Sequence, residues 1–444
     1  MSRTFQSRTR ALLLFTLGVS GAWAPVRLGA QATPVAFRNA HIIPVVGAEI
    51  PRGTVVIQGG KIIAIGANPT IPAGAQVVDA TGKVIMPGIV DTHSHIGGGA
   101  GGDRSDPIQG DVRILDAIDP RNDGIQRAQA GGVTTANIMP GSGHLMSGQT
   151  AYVKLVDASR IEEMLYCRDI LTDICGGMKM ANGTNPRGGP PFPGTRGKAA
   201  ALDREQYLKA QEYLRQIAAA GSDSTKRPAR DLELEALGQV LQGKRIVHFH
   251  THRADDIQTV LRLQREFGFR VVLHHVSEGW KIPGELAAAH AMASVIVIDA
   301  PGGKLEAQDL SLRTGQVLDS AGVLVAFHTD DPITDSRWIL RSAALAIRAG
   351  LPREHALRAM TINGAKMLDL DSRVGSLEVG KDADLVVLSG DPFSVYTHVE
   401  QTWAGGAKVF DLSDPRDRLY AQGGYDSIRE TAAVDDDGDE GSGP

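Results

Sequence analysis

Residues 84–95 read Val84-Ile85-Met86-Pro87-Gly88-Ile89-Val90-Asp91-Thr92-His93-Ser94-His95, an apolar run that ends in two histidines one residue apart. Alternate side chains of a β-strand point to the same side, so His93 and His95 can face one ligand together. Two imidazoles that converge from one strand end form half of a metal site. Because such pairs also arise by chance on strands, their interpretation depends on the rest of the chain.

Three later apolar runs also end in residue types that bind metals. They are Ile246-Val247-His248-Phe249-His250-Thr251-His252, Val271-Val272-Leu273-His274-His275 and Val323-Leu324-Val325-Ala326-Phe327-His328-Thr329-Asp330-Asp331. In β/α barrels the functional residues lie at the C-terminal ends of the strands. Four strand ends of this kind predict one shared divalent metal centre. A mixed set of histidine and carboxylate ligands favours zinc, and it is also compatible with manganese, iron and cobalt.

The middle of the chain alternates strand-like apolar runs with amphipathic helical segments, which is typical of β/α units around a parallel sheet. The predicted strands are 85–90, 134–138, 151–156, 177–180, 245–250, 270–275, 294–298 and 323–327. The predicted helices are 203–220, 231–241, 255–267, 306–320, 336–349 and 353–368. Eight strands close a barrel, so we predict an α/β fold, a (β/α)8 TIM barrel over residues 87–369.

Short glycine-punctuated strands flank this middle region at both ends of the chain. One block reads as a hairpin across Gly59-Gly60, and another runs through residues 374–388 towards Phe410. Because helices are absent from both blocks, residues 33–86 plus 370–412 are predicted to form one small domain, a β-sandwich built from both terminal segments.

The two ends of the chain have the composition of segments outside the folded domains. Residues 1–32 combine three early arginines, an apolar run and the small-x-small triplet Ala30-Gln31-Ala32, which predicts a signal peptide and export to the periplasm or the outside of the cell. Its apolar run is too short to span a bilayer. Residues 413–444 are predicted to be a C-terminal extension that ends in an acidic, unstructured tail.

The bulk composition describes an ordinary globular protein. The chain has 444 residues, 42% of them hydrophobic and 22% charged, and a net charge of −5. There is no basic excess of the kind that binds nucleic acid. The only cysteines, Cys167 and Cys175, could pair in an oxidising compartment or remain two buried thiols.

With these motifs in view, the sequence resembles the amidohydrolase superfamily, and within it the imidazolonepropionase-like and Xaa-Pro-dipeptidase-like branch. The resemblance covers residues 35–410. The matching stretches are Pro87-Gly88-Ile89-Val90-Asp91-Thr92-His93-Ser94-His95, His275, Thr329-Asp330 and Gly375-Ser376-Leu377-Glu378-Val379-Gly380-Lys381-Asp382-Ala383-Asp384-Leu385-Val386-Val387. The motifs are specific for the superfamily and do not name a substrate.

The resemblance implies a specific role for each candidate residue. His93 and His95 are expected to bind the more buried metal, and His250 and His275 the more exposed one. Asp330 is expected to hold a metal and to take a proton from the attacking water. His250 is chosen over His248 and His252 because it opens the stretch that is similar to the branch pattern.

Many relatives bridge two metals with a carboxylated lysine on the fourth strand. Lys179 is the candidate here, Lys154 competes with it, and an unmodified, solvated Lys179 is the alternative. Thr184 stands where related sequences often have glutamate, so the number of metals, one or two, stays open.

Other polar residues are weaker candidates for substrate binding. They are His144, His252, Arg253 and Arg196, the arginines because a guanidinium can receive a carboxylate in two parallel hydrogen bonds. The glycine- and proline-rich residues 182–198 are predicted to lack regular structure, either as a mobile cover over the site or as a surface excursion.

The sequence therefore predicts an exported metal-dependent hydrolase of C–N bonds that acts on a small molecule or a short peptide. A dipeptide such as Xaa-Pro is the preferred substrate because export suits peptide scavenging. A cyclic-amide hydrolase is the first alternative, and a non-catalytic barrel that binds a metal or a ligand is the second. The expected partners are that substrate and further copies of the chain, with no nucleic acid and no membrane after cleavage of the signal peptide.

Overall fold

The computed structural model describes residues 33–99, 102–103, 105–297 and 304–423. The predicted signal peptide, the acidic part of the C-terminal extension and Ile298, at the end of the predicted seventh strand, lie outside these residues. Among the described residues, no helix is both long and apolar enough to cross a membrane.

The strands follow one another along the chain from near the start of the described region to residue 411. They are β1 Val35–Ile42, β2 Ile50–Gln58, β3 Lys61–Gly66, β4 Gln76–Asp79, β5 Val84–Pro87, β6 Ile89–Ser94, β7 Val133–Ile138, β8 Met146–Gln149, β9 Ala151–Lys154, β10 Met178–Ala181, β11 Val247–Thr251, β12 Val271–His275, β13 Met292–Val295, β14 Val325–Phe327, β15 Leu385–Leu388, β16 Val399–Ala404 and β17 Ala407–Asp411.

The α-helices are concentrated between the strands of the middle region. They are α1 Asp123–Ala130, α2 Arg196–Ala220, α3 Leu232–Leu241, α4 Ala254–Phe267, α5 Pro283–Ala288, α6 Thr314–Ser320, α7 Ile339–Arg348, α8 Arg353–Ala359, α9 Ile362–Met367 and α10 Pro415–Gln422.

One eight-stranded sheet combines strands from both ends of the described chain. Its order is β17-β16-β15-β5-β1-β2-β3, and β4 pairs with β1. The predicted hairpin across Gly59-Gly60 is confirmed as β2 and β3, and both glycines have the positive φ that the tight turn requires. Phe37 packs edge-on against Trp403 in the core of this sheet. A sandwich needs two packed sheets, so the β-sandwich stays a prediction.

The middle region contains two further sheets, with orders β6-β7-β9 and β14-β13-β12-β11-β10-β8. Their edges approach each other where the amide of Asp330 donates to the carbonyl of His93 over 2.9 Å and the amide of His95 donates to the carbonyl of Asp331 over 3.0 Å. The architecture is therefore α/β, although within the described ranges no hydrogen-bonded ladder runs continuously around a barrel.

The third predicted strand differs in direction from the expectation of an all-parallel barrel. β9 pairs antiparallel with β7, and β8, which was not predicted, pairs antiparallel with β10. A parallel return needs a crossover of a dozen or more residues, usually a helix. The connection after β7 contains β8 and leaves no length for one.

Three predicted helices need correction. The helix predicted at 306–320 is α-helical only over α6, and the helix predicted at 336–349 begins at α7 after one 3-10 turn. The helix predicted at 353–368 is divided into α8 and α9, because Thr361 has φ −134° and ψ −96°, outside the helical region. In contrast, α2 begins earlier than predicted, with the Thr195 hydroxyl accepting from the amide of Lys198.

The two cysteines lie on the connection between β9 and β10, and their pairing is now decided. Cys167 and Cys175, which are eight positions apart in sequence, form a disulfide. The alternative of two buried thiols is therefore wrong.

Candidate metal centre

The strand ends of the middle region place the predicted ligands on one side of the sheet. In the parallel ladders, Lys179 is aligned with His248, and His250 is aligned with His274. Aligned residues of neighbouring strands point to the same side, so the alternation along each strand directs these side chains inward. His93 joins them because β6 is hydrogen-bonded to the segment that follows β14.

The innermost part of the site is formed around the carboxylate of Asp330. Its Oδ1 lies 3.1 Å from His93 Nε2 and 3.0 Å from His95 Nε2. The two Nε2 atoms are 3.2 Å apart, and Lys179 Nζ is 2.9 Å from His93 Nε2. The structure thus brings His93, His95, Lys179 and Asp330 together, all of them buried.

A second group of histidines lies beside this one. One ring nitrogen from each of His250, His252 and His275 lies within 4.8 Å of the other two. His275 also forms such a group with His93 and Asp330, and its Nδ1 is 3.9 Å from Asp330 Oδ2. Asp330 therefore stands between the two groups.

Hydrogen bonds hold one nitrogen of several rings so that the opposite nitrogen faces the centre. His250 Nδ1 is 2.9 Å from Ser142 Oγ, and His252 Nδ1 is 2.7 Å from Ser277 Oγ. His95 Nδ1 donates to the carbonyl of Met139 over 2.7 Å. Metal-binding histidines almost always have such a partner on the far nitrogen, which sets the tautomer and orients the ring.

The electrostatic environment keeps these histidines neutral and Asp330 ionised. Burial lowers the pKa of His250 well below its usual value, and the charge of Lys304 lowers it further. Burial alone raises the pKa of Asp330, but a hydrogen bond from His95 and the charges of His95 and Lys179 bring it below its usual value. Neutral imidazoles and an ionised carboxylate are what a divalent cation binds.

The backbone at two of these residues is unusual for side chains with a Cβ. His275 has φ 68° and Asp330 has φ 54°, both in the left-handed region. Such conformations cost about 1–3 kcal/mol each and cluster at functional sites.

The donor set fits a divalent metal. His250 Nε2 and His275 Nε2 are buried, and neither has a hydrogen-bond partner within the described part of the chain. A buried nitrogen without a partner carries a desolvation cost that a bound cation would remove. His93, His95, His250, His275 and Asp330 are the residues that would hold it, and Lys179 lies within reach of the inner part.

Lys154, the competitor of Lys179, has a different role. Its Nζ lies 2.5 Å from Asp384 Oδ2 and 3.0 Å from Asp382 Oδ2. These carboxylates belong to the segment that leads into β15, so Lys154 joins the two parts of the molecule and is not a member of the histidine centre.

The weaker substrate-binding candidates lie in different places. His252 is inside the outer group, whereas His144 is buried against Phe192, 5.4 Å between ring centroids. Arg196 Nε donates to both carboxylate oxygens of Asp256 at 2.9 Å, and Arg253 is half-exposed and paired with Asp255. Both arginines thus have carboxylate partners within the protein.

Sequence reasoning assigned no role to Ser142, Ser277, His274 or His328. All four are buried and contact the candidate ligands or their neighbours. The alternation along the strands was the available signal, because His274 and His328 follow the same inward parity as His250 and Asp330.

Comparisons with known proteins identify the family of the chain. An amidohydrolase family profile matches residues 199–410. The crystal structure of an amidohydrolase from Thermotoga maritima MSB8 is 35% identical, with a TM-score of 0.79 over 85% of this chain and 100% of that one. A prolidase solved in complex with N-methylphosphonate-L-proline, 17% identical over 85% of this chain and 99% of that one, has a TM-score of 0.54 and shows likeness of fold alone.

Curated relatives include an amidohydrolase, tasK, from Hapsidospora irregularis, 29% identical over 82% of this chain. The chain spans only 41% of that protein's length. An imidazolonepropionase from Cupriavidus taiwanensis is 25% identical over 81% of this chain and 90% of the relative. The chain therefore belongs to the amidohydrolase superfamily of metal-dependent hydrolases.

Proposed function

We propose that this protein hydrolyses a C–N bond of a small amide with a metal-activated water, and that Asp330 carries the proton. The observation that supports this most directly is the position of the Asp330 carboxylate, about 3 Å from His93 and His95 and facing His275. A non-catalytic metal protein has no need of a carboxylate between its two ligand groups.

Each residue has a role that follows from its chemistry. His93, His95, His250 and His275 hold the metal, zinc in this proposal, with Lys179 at the inner side. A bound divalent metal lowers the pKa of its water to about 7 and polarises the carbonyl under attack. Asp330, kept ionised by its surroundings, accepts a proton from the water and returns it to the leaving nitrogen.

Replacement of Asp330 tests this assignment. Asp330→Asn keeps the shape and one ligand oxygen but removes the base, so we expect kcat to fall by about 10²–10⁴-fold. Metal content, measured by elemental analysis of the purified variant, should stay at one or more equivalents.

Asp331 provides the matched control. Its side chain accepts from the amide and the hydroxyl of Ser336, at 2.8 and 2.7 Å, and stays within the protein structure. Asp331→Asn should reduce stability and leave kcat within about tenfold. If Asp330→Asn and Asp331→Asn have equal activity, Asp330 does not carry the proton.

The substrate class we propose is a short peptide, with Xaa-Pro dipeptides first. The support is the signal-like composition of residues 1–32, since peptide scavenging suits an exported enzyme. Cyclic amides are the second candidate because a curated relative is an imidazolonepropionase. A panel of dipeptides and lactams assayed with the purified enzyme separates them, and turnover of lactams alone would exclude the peptide assignment.

The proposal also covers the location of the protein outside the cytoplasm and the division of the chain into domains. Residues 1–32 direct export and are removed, residues 87–369 form one (β/α)8 barrel, and residues 33–86 plus 370–412 form the small β domain. Mass spectrometry of the secreted protein tests the first part, because an intact Met1 would contradict cleavage.

A further inference from the structure

Beneath the candidate centre, the interior contains histidines that the proposed hydrolysis does not use. His248, His274 and His328 are fully buried, and none of them is a ligand in the assignment above. The strand register places His274 beside Ser294, and Ser294 is aligned with Ala326, two residues before His328. Barrel interiors are usually filled by branched apolar side chains, so a layer of imidazoles requires an explanation.

Hydrogen bonds hold both nitrogens of His248 and one nitrogen each of His274 and His328. His274 Nε2 is 2.9 Å from His248 Nδ1, and His248 Nε2 is in turn 2.8 Å from the hydroxyl of Tyr152. His328 Nδ1 is 2.8 Å from Ser294 Oγ. These contacts leave one nitrogen of His274 and one nitrogen of His328 for another ligand.

The opposite nitrogens have no partner in the described residues. His274 Nδ1, His328 Nε2 and His93 Nδ1 are all buried without a hydrogen bond. A buried polar atom without a hydrogen bond is unfavourable, and each such atom in a native protein requires an explanation. His93 is the more unusual case, because its Nε2 faces the catalytic group while its far nitrogen lacks the partner that metal-binding histidines normally have.

The three rings also converge. One ring nitrogen from each of His93, His274 and His328 lies within 4.8 Å of the other two. The ring centroids are 4.9 to 5.4 Å apart. We propose that His93, His274 and His328 form an inner metal site, separate from the catalytic one, that takes a divalent cation with a preference for nitrogen ligands.

The chemistry of the three residues identifies the class of ion. Three neutral imidazoles suit zinc, cobalt, nickel or copper and do not suit calcium or magnesium. A bound ion would be held by one ring nitrogen from each of the three histidines.

Metal counting tests the inner site. Chelator-treated protein is reloaded with Zn²⁺, freed of excess by gel filtration and analysed for zinc per chain. His328→Phe removes one inner ligand, and we expect it to hold one equivalent less than the wild type. His144→Phe removes an imidazole that is also buried but lies outside the three-histidine group, and it should hold the wild-type number. Equal zinc content in the wild type and His328→Phe would overturn the inner site.

A second measurement covers the case in which His328→Phe does not fold. Anomalous diffraction at the zinc edge from wild-type crystals should give a peak between His274 and His328, distinct from any peak at Asp330. A peak at Asp330 alone would refute the inner site and leave the proposed hydrolysis intact. A peak between His274 and His328 in a protein that does not hydrolyse amides would support the inner site and contradict the proposed hydrolysis.

Discussion

At the scale of single residues, serine hydroxyl groups determine which ring nitrogen of a histidine faces the centre. Ser142, on the loop after β7, bonds His250 Nδ1 at 2.9 Å and thereby directs Nε2 inward. Ser147 is also buried, but its hydroxyl donates to the carbonyl of Gly141 at 2.6 Å. Replacement of Ser147 therefore removes only a buried hydroxyl, whereas replacement of Ser142 also removes the hydrogen bond that orients His250.

Ser142→Ala should weaken metal binding by about 10–100-fold, because removal of the partner of a ligating histidine releases the ring and its tautomer. Competition with a chromophoric chelator measures the affinity. Ser147→Ala should cost about 1 kcal/mol of stability and leave the affinity unchanged. Equal affinities in the two variants would show that Ser142 does not orient His250.

At the scale of elements, the connection from β10 to α2 is anchored at both of its ends. Asn182 donates to the carbonyl of Asp256 at 3.0 Å, and the amide of Thr184 donates to Glu306 at 2.8 Å. Arg196, at the start of α2, reaches the same two acidic residues. Residues 187–191, at the tip, are exposed. The prediction that residues 182–198 lack regular structure is wrong for the last three, which begin α2.

Arg196→Met should destabilise the protein by about 1–3 kcal/mol, because it leaves the buried carboxylates of Asp256 and Glu306 without their cation. We also expect faster proteolytic cleavage at residues 187–191. Arg204→Met is the control on the same helix, since Arg204 and Glu266 form an exposed pair worth at most about 1 kcal/mol. Thermal unfolding and limited proteolysis measure both effects, and equal behaviour of the two variants would contradict the anchoring role.

At the scale of the whole molecule, Asp382 joins the eight-stranded sheet to the middle region. It accepts ion pairs from Lys61 at 2.7 Å, Arg373 at 2.9 Å and Lys154 at 3.0 Å. Burial alone raises the pKa of Asp382, but the charge of Lys154, the hydrogen bond from Lys61 and the charge of Arg373 lower it to about 2. The ionised carboxylate of Asp382 therefore contributes three ion pairs to this junction.

This pKa predicts how stability depends on pH. The pKa of Asp382 is lower in the folded state than in the unfolded state, so the unfolded state binds the proton more readily. The stabilisation that Asp382 provides is therefore complete above about pH 5. It is lost as the pH falls towards 2. Asp382→Asn should cost roughly 1–2 kcal/mol at pH 7, with the difference from wild type narrowing towards pH 3 in urea unfolding experiments.

Asp369→Asn is the control, because its ion pair with Arg270 is largely exposed and should contribute less than about 1 kcal/mol. A difference between wild type and Asp382→Asn that is independent of pH would contradict the assigned pKa.

Much of this arrangement could be predicted from local patterns. Apolar runs that end in His93 and His95, in His250, in His275 and in Asp330 are visible in the sequence, and β6, β11, β12 and β14 lie within or close to them. The turn at Gly59-Gly60 is equally local. The direction of β9 and the break at Thr361 were mispredicted, because both depend on what the segment packs against.

The sequence by itself determined which residue types stand at the ends of the strands, because strand alternation and turn chemistry act over a few neighbouring residues. Only the tertiary structure decided that Lys179 and not Lys154 meets His93, and that Cys167 pairs with Cys175. It also decided that His274 and His328 lie close to His93. These outcomes depend on distances between residues remote in the chain, which no local pattern contains.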